Sequence, residues 1–305
     1  MSLLGILDKL EKHGDEIFIA SPNYSISFND FVDQVGLFAE YFSKTLSSAK
    51  TNIGILVESK SIACELYLGV LKSGNNAAIL DFNKSSHELE QFVSSASISM
   101  LICSRKDQSN LNMKCSTVFV EEMVLNTCQV STYQPEDIYG NTIMQTSGTS
   151  GCPKNIKLSI ENLLANARLW SDVVNLSSDI TYIHAMSLST VGGLGILWRA
   201  LVYRFSIYVS DARMLKFKKI NNGDLVISLV PTMLFDIINT YGYSYLLDLD
   251  LIILGGEPIN DKHLLYLRNL KINIFMAYGM TETASGIMGE WIDGNYINRY
   301  LPFSD

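Results

Sequence analysis

The sequence predicts an α/β protein with two βαβ-type subdomains, each a largely parallel sheet flanked by helices. Two observations support this fold class. Short apolar runs rich in β-branched residues alternate with amphipathic stretches of helix length along most of the 305 residues. A polar stretch without periodicity, residues 126–141, interrupts this alternation and indicates a boundary between the subdomains.

The first predicted subdomain comprises residues 1–135, and strands and helices alternate along it. The buried apolar runs predict strands over residues 53–57, 77–80, 100–103 and 118–120, and the amphipathic stretches predict helices over residues 61–72 and 86–95. This alternation is the pattern of a parallel sheet with crossover helices.

The second predicted subdomain comprises residues 136–290, where the same pattern restarts. It predicts strands over residues 142–145, 181–185, 206–209, 225–229, 251–254 and 272–277, helices over residues 160–173 and 194–201, and a further helix that begins at Pro231. Residues 291–305 are assigned to a C-terminal tail.

The composition is that of a folded chain, with 48% hydrophobic and 18% charged residues. A net charge of −8 argues against nucleic-acid binding, because polyanions are held by clustered Lys and Arg, so any phosphate must be held locally. The five cysteines form no C-x-x-C pair, and no run reaches the ~18 apolar residues of a membrane span. We expect a cytoplasmic protein without a membrane span.

A loop with the composition of a phosphate site follows the predicted strand 142–145. Its residues are Thr146, Ser147, Gly148, Thr149, Ser150, Gly151, Cys152, Pro153 and Lys154. Glycines let backbone N–H groups approach an anion, hydroxyls add donors, and a lysine adds positive charge. A plain surface loop is the alternative, but the Pro-Lys end at a strand exit favours phosphate binding. It is not the P-loop of kinases, whose lysine directly follows the second glycine.

Two further turns follow predicted strands. The first is Gly255-Gly256-Glu257-Pro258, and the second is Tyr278-Gly279-Met280-Thr281-Glu282. Taken singly, each is more often an ordinary loop. Their combination with the hydroxyl-rich loop carries the functional interpretation.

The three segments resemble, in order and approximate spacing, the motifs of the adenylate-forming (AMP-binding) enzymes. This superfamily includes acyl-CoA synthetases, firefly luciferase and nonribosomal peptide synthetase adenylation domains. Residues 146–154 are similar to its T-S-G-[ST]-[ST]-G-x-P-K signature, and residues 278–282 to its Y-G-x-T-E motif. The resemblance covers roughly residues 16–287. The sequences of residues 229–234 and 280–283 are most similar to those of the o-succinylbenzoate–CoA ligase type.

The resemblance implies a ligase that uses ATP and Mg²⁺ to convert a small carboxylic acid into an acyl adenylate. Thr281, Glu282 and Lys154 are the implied catalytic residues: Thr281 donates to the α-phosphate, Glu282 holds Mg²⁺, and Lys154 restrains the outer phosphates. The implied nucleotide-binding residues are Thr146, Ser147, Gly148, Thr149, Ser150, Gly151 and Lys154 in the loop, and Gly255, Gly256, Glu257, Pro258, Tyr278, Gly279, Met280 and Thr281 in the two turns. Coenzyme A or a carrier-protein thiol is the implied acceptor.

The sequence departs from the family in two places. Thr190 stands where many acyl-CoA synthetases have a histidine, and Thr190, Val191, Gly192 and Gly193 are expected to line the acid pocket. The chain also stops at Asp305, so the small C-terminal domain, which carries a catalytic lysine in this family, is expected to be missing. Two hypotheses remain: a ligase whose small domain comes from a separate chain or was truncated, or a module that binds ATP or an acyl adenylate without turnover.

Overall fold

The computed structural model describes residues 2–46, 50–105, 115–126, 139–146, 153–210, 219–269, 272–292 and 298–299. The chain forms two compact units: residues 1–16 with 27–161, and residues 17–26 with 162–305. Both contain a largely parallel sheet with helices, which confirms the predicted fold class. The predicted boundary between residues 135 and 136 lies outside the described residues and stays a prediction.

The described residues form fifteen strands and nine α-helices, numbered in chain order. The strands are β1 (Ile17–Ser21), β2 (Tyr24–Ser27), β3 (Asn52–Leu56), β4 (Asn76–Ile79), β5 (Met100–Cys103), β6 (Ser116–Phe119), β7 (Thr142–Thr146), β8 (Lys154–Leu158), β9 (Thr181–His184), β10 (Ser206–Val209), β11 (Leu225–Leu229), β12 (Leu251–Leu254), β13 (Ile274–Met280), β14 (Ser285–Trp291) and β15 (Asn298–Arg299). The helices are α1 (Leu3–Glu11), α2 (Phe28–Thr45), α3 (Lys60–Lys72), α4 (Ser86–Ser95), α5 (Val120–Asn126), α6 (Ile160–Leu169), α7 (Val191–Tyr203), α8 (Pro231–Tyr241) and α9 (Asp261–Arg268).

In the first unit, the described strands form a sheet in the order β6-β5-β3-β4-β7-β8. Its neighbours are parallel except β7 and β8, which are antiparallel. Two side-chain contacts anchor the start of β7. Asn76 accepts a hydrogen bond from the Asn141 N–H at 2.9 Å, and the Tyr67 hydroxyl lies 2.5 Å from that of Thr142. The amino end of the strand that leads into the predicted phosphate loop is therefore fixed.

In the second unit, the described strands form a sheet in the order β15-β14-β13-β12-β11-β9-β10-β1-β2. Strands β13, β12, β11, β9, β10 and β1 are parallel neighbours, whereas β14 runs antiparallel to β13. All four residues of β12 are buried, as expected for an inner strand with both faces covered. The core on one side includes Ile183, Ile227, Ile252 and Ile274.

The carboxyl ends of β9, β11, β12 and β13 lie at one edge of this sheet because these strands are parallel. The start of α7 follows β9, the start of α8 follows β11, and the turns at residues 255–260 and 281–283 follow β12 and β13. In open α/β sheets, ligands bind at this edge. Among the described helices, none is long and apolar enough to cross a lipid bilayer.

Several predicted bounds differ from the structure; the helix predicted over residues 194–201, for example, spans Val191–Tyr203. The helix predicted over residues 160–173 ends at Leu169, and a 3₁₀ turn, Trp170–Asp172, follows it. The strand predicted over residues 272–277 begins at Ile274 and continues to Met280, because its last residues pair with β14.

Candidate functional site

A cavity of about 420 Å³ opens at the carboxyl edge of the second unit's sheet. It brings together four residues predicted to bind nucleotide, namely Gly255, Glu257, Pro258 and Tyr278. The other lining residues were not predicted, and they are Pro231, Leu254, Ile259, Met276, Ala277, Met288, Gly289 and Glu290. Most of them are apolar, as in typical small-molecule sites.

The turn after β12 forms one wall of this cavity. A Cβ atom on Gly255 would lie 2.9 Å from the carbonyl oxygen of Ala277, so only glycine allows this close approach of β12 and β13. Gly256 has a φ of +82°, a conformation that favours glycine. The Glu257 carboxylate accepts hydrogen bonds from the N–H and the hydroxyl of Thr232, both at 3.2 Å. The turn is therefore held against the start of α8.

A second wall is a face shared by β13 and β14. Met276 pairs with Glu290 and Tyr278 pairs with Met288, so these four side chains lie on the same side of the two strands. Tyr278 is 58% exposed, and Glu290 is half-buried. Tyr278 thus offers an open ring face, and Glu290 adds a carboxylate to an otherwise apolar cavity.

The pairing of β13 with β14 shifts register at Tyr278 and Gly279. A Cβ atom on Gly279 would clash with the carbonyl oxygen of Ser285, which explains a glycine at this position. The 3₁₀ turn Thr281–Thr283 follows directly, beside the exposed Met280. The Thr283 hydroxyl accepts a hydrogen bond from the Met280 N–H at 3.0 Å and donates one to the carbonyl oxygen of Ser285 at 2.8 Å. These two bonds close the turn.

Glu282 lies in this turn with its side chain exposed. Within the described part of the chain, no group of three His, Cys, Asp or Glu side chains could hold a metal ion alone. Magnesium is usually bound through one or two carboxylates together with substrate phosphates and water. A single exposed carboxylate such as that of Glu282 fits such an ion only together with phosphate and water ligands.

The predicted phosphate loop belongs to the first unit. Thr146 ends β7 and is half-buried, Lys154 begins β8 and is exposed, and the two residues pair across the hairpin. The register therefore places the Lys154 side chain at the mouth of the loop. The predicted residues Ser147, Gly148, Thr149, Ser150 and Gly151 lie outside the described residues.

The predicted acid-pocket residues form the start of α7. The Thr190 hydroxyl accepts a hydrogen bond from the Gly193 N–H at 3.2 Å and donates one to the carbonyl oxygen of Ser187 at 2.8 Å, so it caps the helix. A Cβ atom on Gly193 would clash with the Ser187 oxygen. Val191 and Gly192 are half-buried. The helix cap therefore explains a threonine at position 190, and the close backbone approach explains a glycine at position 193. The role of the four residues in acid binding stays a prediction.

Arg199, further along α7, was not singled out from the sequence. It is 2% exposed, and its guanidinium carbon lies 4.4 Å from the ring centroid of Trp170 and 5.6 Å from that of Tyr182. Burial lowers the pKa of Arg199. Within the described residues its Nε atom has no hydrogen-bond partner, and no carboxylate pairs with the side chain. Its Nη2 atom donates to the Tyr182 hydroxyl at 3.4 Å, and Arg199 does not line the cavity.

Comparison with solved structures gives the same fold. The o-succinylbenzoate CoA synthetase (MenE) from Bacillus subtilis, in complex with the acyl-adenylate intermediate OSB-AMP, superposes with a TM-score of 0.78 at 21% identity, over 93% of this chain and 60% of that one. The N-terminal subdomain of NpsA from Klebsiella oxytoca superposes with a TM-score of 0.83 at 15% identity, over 96% of this chain and 79% of that one. At these identities the likeness shows the fold alone.

Comparison with sequences gives the family. The 2-succinylbenzoate–CoA ligase of Enterococcus faecalis (strain ATCC 700802 / V583) is 27% identical over 297 residues, which cover 92% of this chain and 59% of that protein. The chain therefore spans less than two thirds of this relative. The family model described as AMP-binding enzyme matches residues 7–300. Because that match covers nearly all of the sequence, the chain belongs to the family of AMP-binding enzymes.

Proposed function

We propose that this chain binds ATP with Mg²⁺ and takes part in converting a carboxylic acid into an acyl adenylate. One observation carries the proposal: in the second unit, β13 forms a wall of the cavity and continues directly into the Thr281–Glu282 turn. A base-sized cavity and a phosphate-and-metal turn on one strand suit the two ends of a nucleotide.

The cavity suits adenine. The exposed Tyr278 offers a ring face for stacking, and Gly255 adds no side chain to the lining of the cavity. Glu290 would accept a hydrogen bond from the exocyclic amino group of adenine, whereas it would repel the oxygen that guanine carries at the same position. The cavity chemistry therefore favours ATP over GTP.

The Thr281–Glu282 turn suits the phosphates. The Thr281 hydroxyl would donate to the α-phosphate, and the Glu282 carboxylate would hold Mg²⁺. In the first unit, the motif at residues 146–154 suits a phosphate site, to which Thr146 and Lys154 at the ends of β7 and β8 would contribute.

The reaction needs positioning more than a protein nucleophile. ATP supplies an electrophilic α-phosphorus, which the carboxylate of the acid attacks while pyrophosphate leaves. Both reactants are anions, so the ion held by Glu282 would offset their repulsion, and Thr281 would orient the reacting phosphate. A net charge of −8 is compatible with this, because the positive charge is local.

Arg199 points to the kind of acid. A second carboxylate on the acid would give this buried guanidinium the anion that it lacks among the described residues. The Enterococcus faecalis relative is named for 2-succinylbenzoate, an acid with two carboxylates. We propose that the substrate is an aryl acid with a second carboxylate. Coenzyme A or a carrier-protein thiol is the proposed acceptor of the acyl group, and the cytoplasm is the proposed location of the protein.

ATP–pyrophosphate exchange tests the proposal. We expect exchange that requires both Mg²⁺ and an acid, and that is fastest with an aryl dicarboxylic acid in a panel of fatty, aryl and dicarboxylic acids. Arg199→Met, which removes the charge at similar length, should abolish the preference for the second carboxylate without unfolding the protein.

Binding without exchange distinguishes the second function. If the chain binds ATP but none of the acids supports pyrophosphate exchange, a nucleotide- or adenylate-binding module is favoured over a ligase. A chain that binds neither ATP nor an acyl-adenylate analogue would contradict both functions.

A further inference from the structure

The segment that follows Glu282 contains two adjacent non-glycine residues at positive φ. Ala284 has a φ of 57° and Ser285 a φ of 125°, and both residues are buried. Such conformations cost free energy for residues with a side chain, so they persist only where surrounding contacts hold them. The contacts around these two residues therefore determine the path of the chain next to Thr281 and Glu282.

Asn166 on α6 supplies those contacts. Its Nδ2 atom lies 3.1 Å from the carbonyl oxygen of Thr283 and 2.9 Å from that of Gly286, and the residue is 5% exposed. A side-chain amide has two N–H hydrogens. Both are therefore available to the two carbonyl groups that flank the strained pair.

The next turn of the same segment supports this contact. Trp170, four residues after Asn166, packs beneath Gly286, where a Cβ atom would lie 2.7 Å from the tryptophan ring. Residues four apart face the same side of a helical segment. Asn166 and Trp170 thus hold the start of β14 together, one by hydrogen bonds and one by packing.

We propose that Asn166 is a positioning residue, which holds the Thr281–Glu282 turn in the orientation that binds the phosphates and Mg²⁺ of ATP. The inference rests on the proposed function. Asn166 acts through the backbone of the turn: without its two hydrogen bonds the Thr283 and Gly286 carbonyls lose their buried donors, and the turn relaxes. Displacing a binding group by about 1 Å can lower activity by about two orders of magnitude.

The rival explanation is that Asn166 only stabilises the fold. A purely structural asparagine would lower the free energy of unfolding when replaced, without changing how the folded protein ranks its ligands. Two ligands separate these explanations. Adenosine probes the base cavity, whereas ATP with Mg²⁺ also needs the Thr281–Glu282 turn.

The test measures dissociation constants for adenosine and for Mg²⁺–ATP by calorimetry, below the melting temperature of each variant. Asn166→Asp is nearly isosteric but removes both hydrogens, Asn166→Ala removes the side chain, and Asn166→Ser keeps one donor. We expect the first two variants to bind Mg²⁺–ATP about tenfold or more weakly, with adenosine affinity changed by less than about twofold. Asn166→Ser should lie in between.

Asn221 provides the matched control within the same unit. Its Nδ2 atom donates to the Ser178 and Ile180 oxygens and to the Ser206 hydroxyl, near the amino ends of β9 and β10 rather than at the edge with the cavity. Asn221→Asp should lower stability and leave both dissociation constants within about twofold of the unsubstituted chain.

Three results would overturn the inference. The first is a folded Asn166→Asp or Asn166→Ala variant with unchanged Mg²⁺–ATP affinity. The second is a parallel loss of adenosine and Mg²⁺–ATP affinity, which would indicate a structural role. If those two variants do not fold, equal affinity of Asn166→Ser and the unsubstituted chain for Mg²⁺–ATP decides against it. Absence of Mg²⁺–ATP binding by the unsubstituted chain would remove the proposed function itself.

Discussion

Replacing Tyr278 by alanine should weaken nucleotide binding strongly and stability hardly at all. Tyr278 is 58% exposed, so its side chain has few contacts to lose when it is removed from the free protein. We expect the free energy of unfolding to change by at most about 0.5 kcal/mol. Stacking of a base on an aromatic ring contributes about 1–3 kcal/mol. At 1.4 kcal/mol per factor of ten, this corresponds to about a fivefold to 150-fold rise in the dissociation constant.

Calorimetric titration with adenosine and with Mg²⁺–ATP measures this effect, and a thermal melt of each variant measures stability. Tyr278→Phe keeps the ring and should retain the affinity. Tyr266→Ala on α9 is the matched control, because Tyr266 is 41% exposed and does not line the cavity. If Tyr278→Ala binds adenosine as tightly as the unsubstituted chain does, the base does not stack on Tyr278 and the assignment of the cavity is wrong.

Three further substitutions test other parts of the site. Glu290→Gln should reduce the preference for ATP over GTP by about tenfold, because it removes the carboxylate that accepts a hydrogen bond from the amino group of adenine. An unchanged preference in competition binding would show that Glu290 does not contact the base. Glu282→Ala should weaken ATP binding about tenfold in Mg²⁺ and leave binding in EDTA unchanged, and an equal loss in both buffers would argue against a metal ligand. Gly286→Ala places a Cβ atom 2.7 Å from the Trp170 ring and should lower the free energy of unfolding in urea by about 1–3 kcal/mol. A loss below about 0.5 kcal/mol would mean that the ring moves aside.

The inner strands could be predicted from the sequence because each is a short apolar run covered on both faces. The bounds of β10, β11 and β12 match the predicted ranges 206–209, 225–229 and 251–254. The turn at Gly255 could be predicted only from its combination with the two other motifs, because such a turn taken alone is more often an ordinary loop.

Strand β14 could not be predicted, because Ser285–Trp291 contains two glycines and lacks a clear alternation of apolar and polar residues. Its extended conformation depends on antiparallel pairing with β13. Without that strand, neither Met288 nor Glu290 could be assigned to the cavity. This part of the cavity wall is thus set by a tertiary contact rather than by a local pattern.

Asn166 and Arg199 were missed for a similar reason. The carbonyl groups that Asn166 contacts lie 117 and 120 residues further along the chain, so only the folded structure shows its role. Arg199 lies in an apolar helix, where a single arginine is usually expected at the surface. By contrast, the Thr281–Glu282 turn was found from its motif, because its residues are adjacent in sequence.

The central claim is that the turn containing Glu282 holds the phosphates of an ATP whose base lies in the Tyr278 cavity. The most direct measurement is the ratio of Mg²⁺–ATP to adenosine affinity, obtained by calorimetry for the unsubstituted chain and for Glu282→Ala. The proposed arrangement predicts one ATP per chain, bound more tightly than adenosine, and a margin between the two affinities that Glu282→Ala reduces. Equal affinity for ATP and adenosine, or a margin that Glu282→Ala does not change, would contradict it.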